Sequence, residues 1–401
     1  MKTQFYKDKR FWMPILVLVL FELFLQTGIY KPMLKKNSYA ANINNILGHV
    51  IEKKDVHNPE ILIVGTSVAY QGLSLKTLQE KINGKGYKIQ SASIPGSELI
   101  IQDLAIEKIL RELDRVKLIV YVGEITMPWV SQTHLTLPSL GMLGEFSRLD
   151  SFPNLVEFGY KTFVPKDNPS FFERHKANFM IKKIDYDDWA FLVFDSIKYR
   201  RDIGNFLKDP TVRIRYVKNK YLSPNENFYE YENQNQQKMS SYSIKNLDDC
   251  VQKTNPNTNK DPIPSDSDFN HKKAIYDTCA LSKYTSPEQN RTAETNLYFK
   301  RLAIIYKKIK EKNIKIINVF APYSQVIDNN LGGAGRLQVW KEELEKLNGP
   351  NAEVMDFRNA FSGLDSDAYC YDVIHLNQKG AELFSNALGD YLVKNLDRLM
   401  K

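Results

Sequence analysis

The sequence predicts an α/β fold: a three-layer sandwich around a parallel sheet of about five strands, with a mostly helical or irregular insertion and an N-terminal transmembrane helix. Three observations support this prediction. Short apolar, β-branched runs alternate with amphipathic segments, which is the pattern of parallel strands joined by helices. The alternation stops between residues 128 and 286 and then resumes, and residues 11–30 form one long apolar run.

The first part of the α/β pattern occupies residues 37–127. Its first strand is the clearest, because four consecutive apolar residues leave no polar face and therefore predict burial on both sides. The β-α-β-α-β order predicts a parallel sheet with right-handed crossovers. The predicted elements are strands 61–64, 87–93 and 116–122 and helices 73–82 and 99–113.

Residues 128–286 lack strong periodicity and are rich in Asn, Lys, Tyr and Asp. So long a segment is unlike a single loop, so we predict an insertion of helices and loops. It is either a lid or polymer-binding cap, or a decoration that is partly disordered near its polar centre. The α/β pattern then resumes in residues 287–401, with predicted helices 293–312, 336–347 and 379–399 and strands 314–320 and 353–357.

The apolar run at residues 11–30 follows a basic N-terminus and contains one charge, Glu22. About 20 apolar residues are enough to cross a bilayer, so residues 1–36 are predicted to be a cytoplasmic stub and a signal anchor. This implies a single-pass protein of the inner (cytoplasmic) membrane whose remaining chain faces the periplasm or exterior. Glu22 is then either functional or paired with a neighbouring subunit. Cys250 and Cys279 could form a disulfide on that oxidising side.

Composition argues against several classes of partner. The net charge is +8 with a pI near 9.0, but the lysines are spread along the chain, without a recognition motif or a basic recognition helix. We therefore predict no nucleic-acid partner and a solvated basic surface, with an acidic polymer or an anionic membrane as alternatives. The six histidines show no ligand spacing, so neither a metal nor a cofactor is predicted.

Two short motifs at opposite ends of the α/β pattern carry the chemistry. Gly65-Thr66-Ser67 follows the first strand, and Asp372 precedes His375 by three residues. A serine needs a base to remove its proton, and a histidine base needs a carboxylate to fix its tautomer. Each motif alone has a structural interpretation, as a helix N-cap turn or a surface aspartate that caps a helix. Their joint occurrence favours a catalytic site.

The residues of both motifs resemble the SGNH (GDSL-like) hydrolase and acyltransferase superfamily. The turn that ends in Ser67 matches its Gly-x-Ser block, and Asp372 and His375 match its late Asp-x-x-His block. The resemblance implies that Ser67 is the nucleophile, His375 the base and Asp372 its orienting carboxylate. It also implies an oxyanion hole formed by the N–H groups of Ser67 and Gly96.

The sequence departs from that family after the third strand. The family often carries Gly-x-Asn-Asp there, with the asparagine donating to the oxyanion, whereas this chain has Gly123-Glu124-Ile125-Thr126. Losing one such donor costs about 2.7–4 kcal/mol of transition-state stabilisation. Thr126 is a candidate replacement donor or substrate contact. Tyr323 is a second candidate contact, with packing at the buried rim as its alternative, and Glu124 is expected to have a structural partner.

The overall layout resembles a membrane-anchored subset of the family, namely proteins of polysaccharide O-acetylation and teichoic-acid D-alanylation and similar uncharacterised spirochaete proteins. It implies two partners, an integral-membrane acyl-donor protein and a cell-envelope polysaccharide. The resulting prediction is a serine esterase or O-acyltransferase that acts on acyl esters of a cell-envelope glycan or lipid. The alternative is a catalytically silent scaffold that binds a glycan or a membrane acyltransferase. An active enzyme requires His375 Nε2 within about 3 Å of Ser67 Oγ.

Overall fold

Five parallel strands form the central sheet in the computed structural model of the protein. They are β1 (Ile61–Gly65), β2 (Ile89–Ser91), β3 (Leu118–Gly123), β4 (Lys315–Phe320) and β5 (Val354–Asp356). Their order across the sheet is β2-β1-β3-β4-β5. Gly65 pairs with Val122, and Gly123 pairs with Phe320, so the carboxyl ends of the three central strands reach the same edge. The predicted α/β fold with about five parallel strands is therefore confirmed.

The structure describes residues 8–30, 46–52, 54–129, 194–211, 246–255, 293–325, 333–349, 352–364, 368–370 and 374–401, together with residues 43, 214, 276 and 279. The α-helices in these ranges are α1 (Lys9–Gln26), α2 (Lys54–His57), α3 (Ser67–Gly72), α4 (Leu75–Ile82), α5 (Leu99–Glu112), α6 (Asp195–Lys198), α7 (Arg200–Lys208), α8 (Leu247–Thr254), α9 (Ala293–Glu311), α10 (Gly333–Asn348) and α11 (Gln378–Leu399).

The helices pack in pairs against the sheet. Helices α4 and α11 lie side by side, joined by a hydrogen bond from Ser74 N to Ser385 Oγ at 2.7 Å. Helices α5 and α9 form a second pair, joined by the ion pair of Lys308 Nζ with Asp103 Oδ1 at 2.9 Å. Two helical layers with a sheet between them are consistent with the predicted three-layer sandwich.

The observed bounds differ from the predicted ones by at most three residues at either end of an element. Hydrogen bonds show the local structure at two of these differences. The second strand is shorter than predicted, yet the chain continues beside β1, because Ala92 N and Ile94 N donate to the carbonyls of Ile63 and Gly65. The helix predicted from residue 73 begins two residues later, because Ser74 accepts from Thr77 N and acts as its N-cap.

The chain divides into two compact units. Residues 1–44 and 137–227 form one unit, and residues 45–136 and 228–401 form the other, which contains the sheet. The boundaries predicted from sequence at residues 36, 127 and 286 stay predictions. Most of the predicted insertion lies outside the described residues, and its described parts include α6, α7 and α8.

The unit formed by residues 1–44 and 137–227 contains α1, which is apolar on all sides. Glu22, its one acidic residue, accepts hydrogen bonds from Asp195 N at 2.7 Å and Ser196 N at 3.0 Å, so its partner lies within the same chain. These N–H groups belong to the first two residues of α6, where the helix dipole favours a carboxylate. Within the described ranges no helix is both long and apolar enough to span a membrane, so the predicted transmembrane helix is not confirmed.

A disulfide joins Cys250, on α8, to Cys279. Both residues are buried, and 29 positions separate them in the sequence. Cys370, the third cysteine, is also buried and takes no part in this disulfide. The pairing that the sequence left open is therefore formed in this structure.

Candidate active site

Ser67 occupies the turn at which β1 becomes α3. Gly65 ends the strand, Thr66 has an extended backbone, and Ser67 is the first residue of the helix. A Cβ on Gly65 would lie 2.7 Å from the carbonyl oxygen of Val122 and 2.8 Å from the Cβ of Ala69. Glycine is required here because β1, β3 and α3 meet too closely for any side chain.

His375 is held by a narrow loop just before α11. Cys370 N donates to the carbonyl of His375 at 2.8 Å, and Asn377 N donates to that of Ala368 at 2.9 Å. The Asn377 side chain then caps α11 by accepting from Gly380 N at 3.0 Å. Gly380 must lack a Cβ, because one would overlap the carbonyl oxygen of Ala368. Helix α11 therefore fixes the loop that carries the histidine.

The structure brings the two predicted motifs together. His375 Nε2 lies 2.8 Å from Ser67 Oγ, which is hydrogen-bonding distance. His375 is buried and Ser67 is half-buried, so the pair lies at a partly shielded edge. The helix that begins at Ser67 also ends close to the histidine loop, since a Cβ on its last residue, Gly72, would lie 3.5 Å from Leu376 Cδ1. Asp372, the predicted third member, lies outside the described residues.

The predicted oxyanion residue Gly96 lies on the loop that follows β2. This loop is tied to the serine turn, because Ile94 N donates to the carbonyl of Gly65 at 3.0 Å. Ser97 N donates to the carbonyl of Ile94 and closes a turn, in which Gly96 has a φ of +68° that favours glycine. The loop is thus anchored next to the serine turn, and an oxyanion role for the Gly96 N–H stays a prediction.

Glu124 links the end of β3 to the serine turn. Its Oε1 accepts a hydrogen bond from the Thr66 hydroxyl, and its Oε2 accepts one from the Tyr323 hydroxyl at 3.4 Å. Thr66 also caps α3 by accepting from Val68 N at 3.4 Å. These contacts give Glu124 the structural partners that we expected. The direct bond to Thr66 is not predicted by the sequence, whose only signal for it is that both residues follow neighbouring strands.

The two predicted substrate contacts lie beside Glu124. The hydroxyls of Thr126 and Tyr323 are 3.5 Å apart, and both side chains are buried, Tyr323 to 1% exposure. Tyr323 N also donates to the carbonyl of Arg358 at 3.1 Å. Packing at the buried rim therefore describes the position of Tyr323, while a contact with substrate stays a prediction for both residues.

The site lies where the direction of chain winding reverses. The chain passes from β1 to β2 on one side and then to β3 on the other, which makes the β1–β3 boundary the topological switch point. Ligands of open α/β sheets bind at the carboxyl ends of the strands at such a point. Ser67 follows β1 and Glu124 follows β3, so the two residues flank this crevice. Within the described residues no cluster of three or more His, Cys, Asp or Glu side chains could hold a metal.

No protein-family model matches this chain, and no curated protein matches it either. The resemblance to the SGNH superfamily therefore stays a prediction from the two short motifs, beside which stands the distance between Ser67 and His375. These features support a proposal about function.

Proposed function

We propose that this protein is a membrane-anchored, extracytoplasmic serine esterase or O-acyltransferase of the SGNH type, acting on acyl esters of a cell-envelope glycan or lipid. The observation that carries the proposal is the 2.8 Å separation of Ser67 Oγ and His375 Nε2. A general base must lie within about 2.6–3.2 Å of the group whose proton it takes. The serine also lies at the sheet edge where substrates of this fold class bind.

The first half of the reaction forms an acyl-enzyme. Ser67 Oγ attacks the ester carbonyl carbon while His375 Nε2 takes the hydroxyl proton, and the carbonyl oxygen becomes an oxyanion. The N–H groups of Ser67 and Gly96 would donate to that oxygen. The C–O bond to the leaving alcohol then breaks, and His375 gives its proton to the alcohol. Asp372 would hold the histidine tautomer that accepts at Nε2.

The second half transfers the acyl group. His375 takes a proton from the acceptor hydroxyl, the acceptor oxygen attacks the acyl carbon, and the bond to Ser67 Oγ breaks as the serine regains a proton. Water as acceptor makes the protein an esterase. A glycan hydroxyl makes the protein a transferase. In that case the integral-membrane partner would supply the acyl group.

Two observations support an extracytoplasmic, membrane-attached location. The Cys250–Cys279 disulfide is typical of an oxidising compartment. Helix α1 exposes large apolar side chains around its whole circumference, with Leu18 66% exposed, and only Leu25 is buried. Apolar patches of this kind mark interaction with a membrane or another protein.

Attachment through α1 predicts that the full chain sediments with membranes and that a variant lacking residues 1–30 does not.

One observation favours a catalytically silent scaffold as the second candidate. Ile125 occupies the position at which the SGNH family often carries an asparagine donor, and the oxygens of the neighbouring Glu124 already engage Thr66 and Tyr323. An isoleucine side chain has no hydrogen-bond donor, and a carboxylate donates to an oxyanion only when it is protonated. The scaffold would bind a glycan or a membrane acyltransferase through the same edge of the sheet.

The test uses the full chain in a mild detergent, with p-nitrophenyl acetate as substrate and a fluorophosphonate probe as a label for activated serine. We expect turnover and labelling, both lost in Ser67→Ala. The matched control is Ser74→Ala, which removes a helix N-cap hydroxyl and should keep both signals. Absence of labelling and turnover in the folded wild-type protein would reject the enzyme and leave the scaffold.

A further inference from the structure

Arg336 is a buried arginine whose side chain has no hydrogen-bond partner among the described residues. Its residue is 0% exposed, and among the described residues nothing accepts a hydrogen bond from its Nε, Nη1 or Nη2. A guanidinium carries five N–H donors, and leaving buried donors unsatisfied is costly. A buried cation of this kind normally has an acceptor, so its acceptor is absent from the described chain.

A second buried arginine, Arg358, has a carboxylate partner within the fold. Arg358 is 5% exposed, and its Nε and Nη2 each donate to one oxygen of Asp356 at 2.9 Å. The pair is bidentate, the geometry in which arginine and carboxylate bind most strongly. Arg336 has no such carboxylate in the described residues.

One face of the Arg336 guanidinium is covered. Its Cζ lies 4.9 Å from the ring centroid of Trp129, in the range of a cation–π contact. Stacking on Trp129 covers one face of the guanidinium. The N–H donors lie in the plane of the group, and among the described residues they have no acceptor. Burial lowers the pKa of Arg336 to about 10, and the nearby Tyr323 opposes this in part, so the side chain is charged at neutral pH.

The position of Arg336 also favours a negative group. It lies in the first turn of α10, where the backbone N–H groups have no acceptor within the helix and the dipole is positive. Helical side chains lean towards the N-terminus of their helix, which directs the guanidinium to that end. Trp340, one turn further along, donates to the carbonyl of Ile125 at 3.1 Å and ties α10 to the loop that follows β3.

This position is close to the candidate active site. Both positions adjoin the loop that follows β3, because Trp340, one turn along α10 from Arg336, donates to the carbonyl of Ile125 in that loop. Glu124, the residue before Ile125, accepts from Thr66 in the serine turn, so the same loop contacts both α10 and the serine turn. A group bound at Arg336 can belong to a molecule whose ester lies at Ser67.

We infer that Arg336, with Trp129 and the first turn of α10, binds a carboxylate or phosphate group, and that this group belongs to the substrate. The second part rests on the proposed function, whereas the anion site itself does not. A planar guanidinium matches either oxyanion through two parallel N–H···O bonds. The substrate of the proposed esterase or acyltransferase is then an anionic glycan or lipid rather than a neutral one.

The first test titrates the full chain with inorganic phosphate and with acetate, following tryptophan fluorescence and the melting temperature. We expect saturable changes in the wild type that Arg336→Met weakens at least tenfold. Trp129→Phe should lose most of the fluorescence change and keep the shift in melting temperature. Arg358→Met is the matched control, which should melt at a lower temperature and still respond to phosphate.

The anion-free proteins give an independent readout. Replacing an unpaired buried charge with an apolar side chain removes a desolvation penalty. We therefore expect Arg336→Met to melt at the same temperature as the wild type or higher without phosphate, and phosphate to reverse the order. A lower melting temperature of Arg336→Met at every phosphate concentration, a wild type without a saturable response, or an equal response in both proteins would overturn the anion site.

A kinetic test separates a substrate group from a free anion. If the bound anion is part of the substrate, phosphate should raise the KM for p-nitrophenyl succinate, whose acyl group ends in a carboxylate. The KM for p-nitrophenyl acetate should stay unchanged. A free ion predicts the same effect on both esters, which would reject the substrate assignment and keep the anion site. If neither ester is turned over, the proposed function fails while the binding titration still decides the role of Arg336.

Discussion

Ser67 Oγ lies 2.8 Å from His375 Nε2, although 308 positions separate the two residues in the chain. The serine is fixed by the crowded turn after β1, and the histidine by the loop that α11 closes. The two supports are in contact, because α3 lies against α11, where a Cβ on Gly72 would be 3.7 Å from Phe384 Cδ1. The distance between the two side chains is therefore set by packing on both sides of the pair, which is the arrangement that a nucleophile and its base require.

Removal of either member of the pair should abolish turnover. We expect Ser67→Ala and His375→Gln each to lower kcat for p-nitrophenyl acetate by about 10⁴-fold or more, because the hydroxyl is unreactive without its base. The double variant should be no slower than Ser67→Ala, since the two residues act as one unit. Steady-state kinetics on folded proteins checks this, and additive losses would show that the residues act separately.

Gly65→Ala should destabilise the fold. The new Cβ would meet the carbonyl oxygen of Val122 at 2.7 Å and the Cβ of Ala69 at 2.8 Å, and strand backbone cannot move without breaking the sheet. We expect a loss of about 1–3 kcal/mol in the free energy of unfolding, as for overpacked cores.

Gly84→Ala is the matched control for that change. No heavy atom lies within 4 Å of a Cβ placed on Gly84, so the same added methyl meets open space. Urea denaturation should show little change in stability for this variant. Equal losses at the two glycines would contradict the crowding seen at the serine turn.

Thr66 and Glu124 should behave as a coupled pair. Thr66→Val keeps the shape of the side chain but removes both the N-cap of α3 and the donor to Glu124. We expect a loss of about 0.5–2 kcal/mol in stability, together with a lower kcat because Ser67 follows directly. Glu124→Gln should cost less than Glu124→Ala, since the amide oxygen can still accept from Thr66.

A double-mutant cycle measures this coupling. The loss in Thr66→Val with Glu124→Ala should be smaller than the sum of the two single losses, because both changes remove the same bond. Additive losses would indicate that the bond contributes nothing to stability.

The disulfide should stabilise the unit that contains the sheet. Closing a loop of 29 residues lowers the entropy of the unfolded chain, which corresponds to about 3–4 kcal/mol. We expect Cys250→Ser with Cys279→Ser to lose up to that amount in urea denaturation. Alkylation of the unreduced, denatured chain should modify only Cys370, and reduction should release two further thiols; three reactive thiols before reduction would contradict the pairing.

The sequence was sufficient to predict the elements whose signal is local. Ile61 to Val64 predicted a buried strand because every residue in the run is apolar, and the spacing of Leu78 and Ile82 predicted the buried face of α4. The bounds were less accurate, since the capping hydroxyl of Ser74 moved the start of α4 and β2 is shorter than the run that predicted it. A single N-cap or edge pairing decides such bounds, and a pattern over many residues does not show it.

The sequence by itself determined which residues carry reactive groups and that Ser67 follows a buried strand. Only the tertiary structure decided that His375 reaches that serine and that Glu124 bonds to Thr66. It also decided that Arg336 is buried against Trp129 with no acceptor in the part of the chain that the structure describes. Arg336 shares one face of α10 with the buried Trp340 and Leu344, which was the only trace of its burial in the sequence. The physical reason is that periodicity encodes burial along one element, whereas distances between side chains depend on how separate elements pack.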